Sequence, residues 1–302
     1  MNIAVIPNLS KKDARSHTLK SMELLWRFGA QLAMPATLKR EFAQCNIAFY
    51  PDIQSLMKAC DLVIAIGGDG TMIHTAKHAC ACDKPVLGIN VGRLGYVAGL
   101  EVNELEQLER LLRGDYIVEE RMMLEVSFLK EGKLQTQRVL NDAVIARGLL
   151  THLLDLTVMY KNETVCNYRA DGLIVSTPTG STAYSFSAGG PVMEPTMQGM
   201  LLTPVCPHSV FGRTVVFSGE TELSVSTASQ YQGDAFLTLD GECATQMQAG
   251  ETVTIRRSKL TAKLIKLKHR NFYEVAREKL GERSTCNESE ASCKTAGDYQ
   301  AD

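Results

Sequence analysis

The hydrophobic pattern of this chain changes its period near residue 116. Before that point, uniformly apolar runs such as 62–66 and 85–89 alternate with stretches whose apolar residues recur every three or four positions. Uniformly apolar strands separated by helices are typical of a parallel sheet covered on both faces. Residues 1–115 are therefore predicted to form an α/β domain with a parallel sheet and helices on both faces.

After residue 116, short runs of strand-forming residues are separated by turns such as KEGK and KNET. Helical periodicity is almost absent up to residue 269, which predicts an all-β, sandwich-like domain over residues 116–269. Residues 270–283 have a helical pattern and are too few to fold alone, so we expect this helix to return to the first domain. The polar tail, 284–302, has no periodic apolar face and is expected to be disordered.

Composition narrows the class of protein. The chain has 302 residues, 45% of them apolar, and a formal net charge of −2, which disfavours a nucleic-acid partner. No apolar run approaches the roughly 20 residues that span a bilayer, and the N-terminus lacks the pattern of a signal peptide. We expect a cytoplasmic protein without a membrane partner.

The histidines and cysteines give little reason to expect a resident metal. Nine cysteines lack a CxxC pair, so neither a disulfide framework nor a zinc ribbon is indicated. His74 and His78 stand four residues apart, close to Cys80 and Cys82, and could share an ion. We favour the interpretation that these are ordinary helix and loop residues.

The segment GGDGT follows the apolar run 62–66 and precedes a helical pattern. Gly67, Gly68 and Gly70 would let a phosphate approach the backbone, and the following helix offers unpaired N–H groups. Asp69 would repel a phosphate, so it is better suited to accept a proton from a hydroxyl or to help hold Mg²⁺. The alternative is a tight turn in which Asp69 caps the helix. Neither GxGxxG nor the Walker loop is present.

Two segments of the second half carry further polar chemistry. Asn141 and Asp142 interrupt an apolar run in RVLNDAVIAR, and a ribose or a strand end at the surface would explain them equally well. In ADGLIVSTPTGSTAYSFSAGGPV, small hydroxyl residues and glycines surround Tyr184, whose ring could stack on a base. A flexible linker fits poorly, because Pro178 stiffens the segment and apolar runs flank it.

Taken together, GGDGT, LNDAVIARG, ADGLIVSTPTGSTAYSFSAGGP, TPVCPHS and LDGE stand in the order found in NAD kinases, and the chain resembles that family from residue 1 to about 283. The TPTGSTAY stretch is highly specific, whereas phosphofructokinases and lipid kinases share only the glycine turn. The resemblance implies transfer of the γ-phosphoryl group of ATP to the 2′-hydroxyl of the adenosine ribose of NAD, giving NADP.

The resemblance also implies roles for individual residues. Asp69 matches the catalytic aspartate. The phosphate-binding positions are Gly68, Gly70 and Thr71. The positions implied to bind NAD are Asn141, Asp142, Asp171, Thr182, Ala183, Tyr184, Ser187 and Tyr96. Tyr96 falls where the family usually has an aromatic ring, in LGF. The chain departs from the family by having Val97 next and by having Asp142 where Glu is common.

Three further polar features have weaker implications. His208 matches a family histidine, but we favour a structural role for it. The turn at Asp240, Gly241 and Glu242 is interpreted as a hairpin with a side role near the nucleotide. Arg147 could neutralise phosphate or could equally be a surface residue at a strand end.

The expected cofactor is Mg²⁺ or another divalent cation, held mainly by the nucleotide phosphates, with Asp69 as a candidate ligand. A homodimer or homotetramer is expected, with a neighbouring subunit completing the site. Two alternative functions remain open, that of a GGDGT kinase of another substrate and that of a non-catalytic NAD(H)-binding sensor.

Overall fold

The computed structural model describes residues 1–92, 95–148, 152–208, 212–228, 234–242, 244–268 and 272–278. The chain divides into two compact units, Met1–Leu267 and Lys268–Asp302. In the second unit the described helix covers residues 272–278. The return of this helix to the first domain stays a prediction, and the predicted disorder of 284–302 lies outside the described residues.

The strands of the first unit fall into an early and a late group. The early strands are β1 (Asn2–Pro7), β2 (Gln31–Pro35), β3 (Ala48–Tyr50), β4 (Leu62–Gly67), β5 (Val86–Asn90), β6 (Leu100–Glu101) and β7 (Ile117–Arg121). The late strands are β8 (Leu124–Lys130), β9 (Lys133–Val139), β10 (Asp142–Arg147), β11 (Leu154–Tyr160), β12 (Glu163–Ala170), β13 (Gly172–Ser176), β14 (Gly199–Val205), β15 (Val215–Ser218), β16 (Leu223–Thr227), β17 (Ala235–Leu239), β18 (Thr245–Met247), β19 (Thr252–Arg257) and β20 (Ala262–Lys266).

Most helices of this unit precede residue 115. The α-helices are α1 (Ala14–Arg27), α2 (Lys39–Phe42), α3 (Ile53–Ala59), α4 (Asp69–Cys80), α5 (Leu108–Leu112) and α6 (Tyr184–Ser187). Short 3-10 helices cover Ala36–Leu38, Val102–Gln107 and Thr179–Thr182. No helix in the described part of the chain is both long and apolar enough to cross a membrane.

The first sheet has the strand order β3-β2-β1-β4-β5-β20-β7, with β6 also paired to β5. Its central pairs are parallel, whereas β20 and β7 run antiparallel to each other. Leu25 of α1 and Leu111 of α5 pack on one face of the sheet, while Leu56 of α3 and Met72 of α4 pack on the other. The predicted α/β architecture with both faces covered is confirmed.

Two antiparallel six-stranded sheets form the second half, in the orders β15-β14-β13-β10-β17-β18 and β12-β11-β16-β19-β8-β9. Their inner faces share one hydrophobic core, to which Val126 and Leu156 contribute from one sheet and Val175 and Leu237 from the other. Side chains that alternate between this core and the outside explain the short-period pattern of the sequence. The predicted β-sandwich is confirmed.

Two strands within residues 116–269 belong to the first sheet instead of the sandwich. β7 pairs with β20, and Leu264 of β20 pairs with Val86 of β5. A strand's own pattern does not reveal its distant partner, so the sequence could not assign these two strands to a sheet. The predicted domain limits stay predictions.

Candidate active site

The glycine turn lies at the carboxyl end of β4, a strand buried along its whole length. Gly68 is the N-cap residue of α4, and Asp69 is its first residue. The first N–H groups of this helix therefore lie at the carboxyl edge of a parallel sheet, where α/β proteins bind ligands. The helix-capping position that the alternative interpretation gave to Asp69 is occupied by Gly68.

The three glycines of the turn differ in their surroundings. A Cβ atom on Gly68 or Gly70 would meet no protein atom within 4 Å, so both residues border open space. A Cβ on Gly67 would lie 2.4 Å from Thr71 Oγ1, so this glycine is required for close packing of the helix. Gly68 and Gly70 thus leave the backbone accessible to a ligand.

Asp69 is held by the segment that follows β5. Its Oδ2 accepts the backbone N–H of Tyr96 at 2.9 Å, and its Oδ1 accepts that of Val97 at 3.2 Å. A Cβ on Gly95 would lie 2.2 Å from Asp69 Oδ1, so only glycine permits this approach. Tyr96 is therefore placed beside Asp69 by its main chain.

A lysine that sequence reasoning missed lies near Asp69. Lys266, at the end of β20, has its Nζ 3.5 Å from the carbonyl oxygen of Ala98. Burial and, to a lesser extent, the charge of Arg121 lower the pKa of Lys266 to about 8, although Glu119 and Asp69 oppose the shift. β20 contains two lysines, Lys263 and Lys266, and its sequence does not distinguish them. Only the fold brings Lys266 to the glycine turn.

The hydroxyl of Thr71 is engaged by a residue from another strand. Asn8 follows β1, and its Nδ2 donates to Thr71 Oγ1 at 3.1 Å. The backbone N–H of Asn8 donates to the carbonyl of Ile66, which fixes Asn8 beside β4. Asn8 therefore orients Thr71 within the first turn of α4, a contact that the sequence did not reveal.

Asp142 is the first residue of β10 and is buried, and Asn141, which immediately precedes it, is half-buried. Asp142 is 5% exposed, which argues against the surface alternative. Oδ1 of Asn141 is buried and has no hydrogen-bond partner among the described residues. An unsatisfied buried acceptor costs about 1–3 kcal/mol, and a ligand donor would remove that cost.

Two carboxyl groups shielded from solvent lie near each other at this position. Burial and, to a lesser extent, the neighbouring charge of Asp240 raise the pKa of Asp142 to about 7. Burial also raises the pKa of Asp240, although backbone N–H groups and Lys77 act against it. Near neutral pH the Asp142 carboxyl group is therefore present in both protonation states.

The TPTGST turn packs directly on Asn141. The Thr177 hydroxyl donates to the carbonyl of Leu140 at 2.5 Å and accepts the N–H of Gly180 at 3.0 Å. A Cβ on Gly180 would lie 2.1 Å from the carbonyl oxygen of Asn141. These contacts join the two polar segments of the second half into one site.

In the segment 181–187, some side chains point into the interior and others lie at the surface. The Ser181 hydroxyl accepts the N–H of Met193 at 2.9 Å, and the Ser185 hydroxyl lies 2.8 Å from that of Thr203. Tyr184, by contrast, is 45% exposed. The other predicted contact residues are accessible as well, namely Thr182, Ala183 and Ser187.

Asp171 is separated from the rest of the predicted site. Asp142 pairs with Ser176 at one end of the β10–β13 ladder, whereas Asp171 immediately precedes the other end. There Arg147 Nε donates to Asp171 Oδ1 at 2.6 Å. The fold of one chain therefore does not bring Asp171 to Asn141 and Asp142.

His208 and the paired histidines have other surroundings. The backbone N–H of His208 donates to the carbonyl of Arg169 at 2.6 Å, and the residue is exposed. The rings of His74 and His78 pack edge to face, with their centroids 4.7 Å apart. Among the described residues, no three His, Cys, Asp or Glu side chains are placed to hold a metal ion.

Comparison with known proteins matches two parts of the chain to family domains. Residues 4–116 match the model of the ATP-NAD kinase N-terminal domain, and residues 140–267 match that of the ATP-NAD kinase C-terminal domain. The NAD kinase of Heliobacterium modesticaldum is 35% identical over 280 residues, which cover 92% of this chain and 98% of that protein. The NAD kinase of Desulforamulus reducens is 40% identical over 225 residues, 74% of this chain and 78% of that protein.

Solved structures share the fold. Yeast NADH kinase in complex with NADH aligns with a TM-score of 0.83 at 21% identity, covering 100% of this chain and 90% of that one. An NAD kinase from Archaeoglobus fulgidus in complex with ATP aligns with a TM-score of 0.70 at 24% identity, covering 91% and 96%. With two matching domain models and relatives aligned along most of its length, this chain belongs to the NAD kinase family.

Proposed function

We propose that this protein transfers the γ-phosphoryl group of ATP to the 2′-hydroxyl of the adenosine ribose of NAD, forming NADP. The observation that carries the proposal is the Asp69 carboxylate, fixed by two backbone N–H groups at the open N-terminus of α4. Family membership supports the reaction, and the structural relatives hold ATP and NADH, the two kinds of ligand that it requires.

The phosphates of ATP would bind at the glycine turn. Gly68 and Gly70 border open space, and the N-terminus of α4 favours negative charge there. Thr71, oriented by Asn8, adds a hydroxyl at the same helix end. Lys266 contributes a nearby positive charge.

The adenosine end of NAD would bind between the start of β10 and the TPTGST turn. The unsatisfied Oδ1 of Asn141 and the Asp142 carboxyl group suit ribose hydroxyls, which both donate and accept hydrogen bonds. The exposed ring of Tyr184 suits stacking on a base. Thr182, Ala183 and Ser187 would border the dinucleotide from the same segment.

Asp69 would act as the general base. The 2′-hydroxyl oxygen forms a bond to the γ-phosphorus of ATP while the bond from that phosphorus to the β,γ-bridging oxygen breaks. The proton of the hydroxyl passes to Asp69, and ADP leaves with the bridging oxygen. Since both Asp69 oxygens accept backbone N–H bonds, the carboxylate is held in one orientation for this transfer.

A divalent cation fits this site only in company with the nucleotide. The described residues lack a cluster of three carboxylate, thiol or imidazole groups that could hold an ion. Asp69 is a candidate single ligand, and the phosphates would supply the remaining oxygens. When bound, Mg²⁺ would neutralise phosphate charge.

Oligomer formation is proposed from the position of Asp171. If this residue contacts NAD, as the family resemblance implies, a second subunit would have to contribute it, because it lies at the far end of the β10–β13 ladder. A homodimer or homotetramer would meet that requirement. The cytoplasmic location stays a prediction from sequence.

A coupled assay tests the reaction. Purified protein, NAD, ATP and Mg²⁺ are incubated, and NADP is read with a strictly NADP-dependent dehydrogenase. We expect NADP formation, and we expect Asp69→Asn to reduce kcat by roughly 10²- to 10⁴-fold, the usual contribution of a general base. Asp155→Asn, at an exposed strand position, is the matched control and should retain full activity.

The same assay separates the alternatives. A near-normal kcat in Asp69→Asn would remove Asp69 as the base, and loss of Mg²⁺–ATP binding alone would assign it to the metal. NAD binding by the wild-type protein without turnover would establish the sensor. Turnover of a lipid or sugar in place of NAD would establish a kinase of another substrate.

A further inference from the structure

The Asp240 carboxylate lies beneath the start of β10 and has no solvent-exposed surface. It accepts three consecutive backbone N–H groups, those of Leu140 at 2.9 Å, Asn141 at 2.8 Å and Asp142 at 3.1 Å. The N–H of Asp240 in turn donates to the carbonyl of Asp142 at 2.9 Å. One side chain therefore fixes the backbone of the whole tripeptide 140–142.

The strand pairing explains why a side chain is needed here. The ladder between β10 and β17 ends at the pair Ala143–Leu239, so residues 140–142 extend beyond it. Asp240 directly follows β17 and turns back with a positive φ of 52°. Its carboxylate thereby takes the place of the strand that would otherwise pair with these N–H groups.

Lys77 links this turn to the helix of the glycine turn. Its Nζ lies 3.6 Å from Asp240 Oδ2 and 2.9 Å from Glu242 Oε2. Lys77 belongs to α4, the helix that begins at Asp69. The lysine partly offsets the cost of burying the Asp240 charge, and it ties the helix that carries Asp69 to the start of β10.

We propose that Asp240 is a positioning residue for the dinucleotide, because it sets the direction in which Asn141 and Asp142 present their side chains. This inference rests on the proposed function, which assigns those two residues to NAD. Asp240 itself is covered by the protein and is not expected to touch the substrate. Its removal should therefore weaken NAD binding through the backbone of 140–142, while the ATP site at Gly68 and Gly70 keeps its geometry.

The test compares Asp240→Ala, Asp240→Asn and the control Asp155→Ala by steady-state kinetics with NAD and ATP varied separately. Asp240→Ala removes all three acceptor bonds, and we expect KM for NAD to rise by at least tenfold while KM for ATP changes by less than twofold. Asp240→Asn keeps one acceptor oxygen, so a smaller rise in KM for NAD is expected. Asp155 lies exposed on β11, and its replacement should change neither constant.

Folding is monitored through the melting temperature and circular dichroism of each variant. If Asp240→Ala does not fold, Asp240→Asn decides. Equal changes in both KM values, or a lowered melting temperature with unchanged KM for NAD, would overturn the positioning role and leave a structural one. Absence of NADP formation by the wild-type protein would instead refute the proposed function, so the two failures are distinguishable.

Discussion

At the scale of single residues, Asp142 has an environment far from that of a free side chain. Burial raises the pKa of this carboxyl group to about 7, with a contribution from Asp240. In the unfolded chain the carboxyl group would titrate near its ordinary value of about 4. Between about pH 4 and pH 7 the folded protein therefore holds a proton that the unfolded chain releases, and stability falls as pH rises through this window.

Asp142→Asn should abolish that dependence. We expect the variant to be more stable than wild type above pH 7, by on the order of 1–4 kcal/mol, because the cost of burying the charge is gone. Urea unfolding at intervals between pH 4 and pH 8 measures the difference, with Asp155→Asn as the control for a general change in charge. Parallel stability curves for Asp142→Asn and wild type would contradict the raised pKa.

Gly95 is a second residue whose identity follows from one contact. An added Cβ would lie 2.2 Å from Asp69 Oδ1, so Gly95→Ala must displace either the carboxylate or the segment that holds it. We expect kcat to fall by roughly tenfold or more, since small displacements of a positioned group slow catalysis strongly. The coupled assay checks this result.

Gly219→Ala is the matched control for Gly95, because its nearest contact is the main chain of Gln198 at 3.3 Å, away from the glycine turn. It should retain wild-type kcat. Wild-type kcat in Gly95→Ala would show that Asp69 and its segment can move apart without loss, and would weaken the assignment of Asp69 as a precisely oriented base.

At the scale of elements, the 3-10 helix Thr179–Thr182 is joined to the start of β10. Gly180 lies against the backbone of Asn141, where an added Cβ would be 2.1 Å from the carbonyl oxygen. Gly180→Ala is expected to raise KM for NAD and to lower the free energy of unfolding, because the turn must move away from the strand. Steady-state kinetics with NAD varied measure the first quantity, and urea unfolding measures the second. An unchanged KM for NAD would show that this turn is not part of the dinucleotide site.

At the scale of the whole molecule, the first sheet depends on residues that come late in the chain. Ile265 and Leu267 pack into the core on one face of the sheet, and Ala262, Leu264 and Leu140 pack into the core on the other. β20 also pairs with β5, and β7 pairs with β20. The α/β part is therefore complete only with β20, which follows the strands of the sandwich in the sequence.

A fragment of residues 1–115 should consequently not fold as a stable unit. It lacks β7 and β20 and exposes apolar core on both faces of the sheet. Circular dichroism and thermal melting should show no cooperative transition, in contrast to the full chain. A cooperative transition in the fragment would show that the early strands and helices form a sufficient core on their own.

The class of each half was already determined by the sequence. Uniformly apolar β4 and β5 required a sheet buried on both faces, and the alternation in strands such as β11 required a sheet buried on one face. The GGDGT and TPTGSTAY segments could be assigned because they resemble the motifs of a known family, and because glycines such as Gly68 and Gly70 leave the backbone accessible to a ligand. These features depend on neighbours in sequence, which a linear pattern displays.

Tertiary structure alone decided which distant groups meet. The pairing of β20 with β5, the proximity of Lys266 to Asp69, and the three N–H bonds to Asp240 join residues about a hundred or more positions apart in the chain. The separation of Asp171 from Asn141 likewise follows from the antiparallel run of β10 and β13. Such contacts depend on how whole sheets pack, and hydrophobic periodicity reports only whether a residue is buried, not what it is buried against.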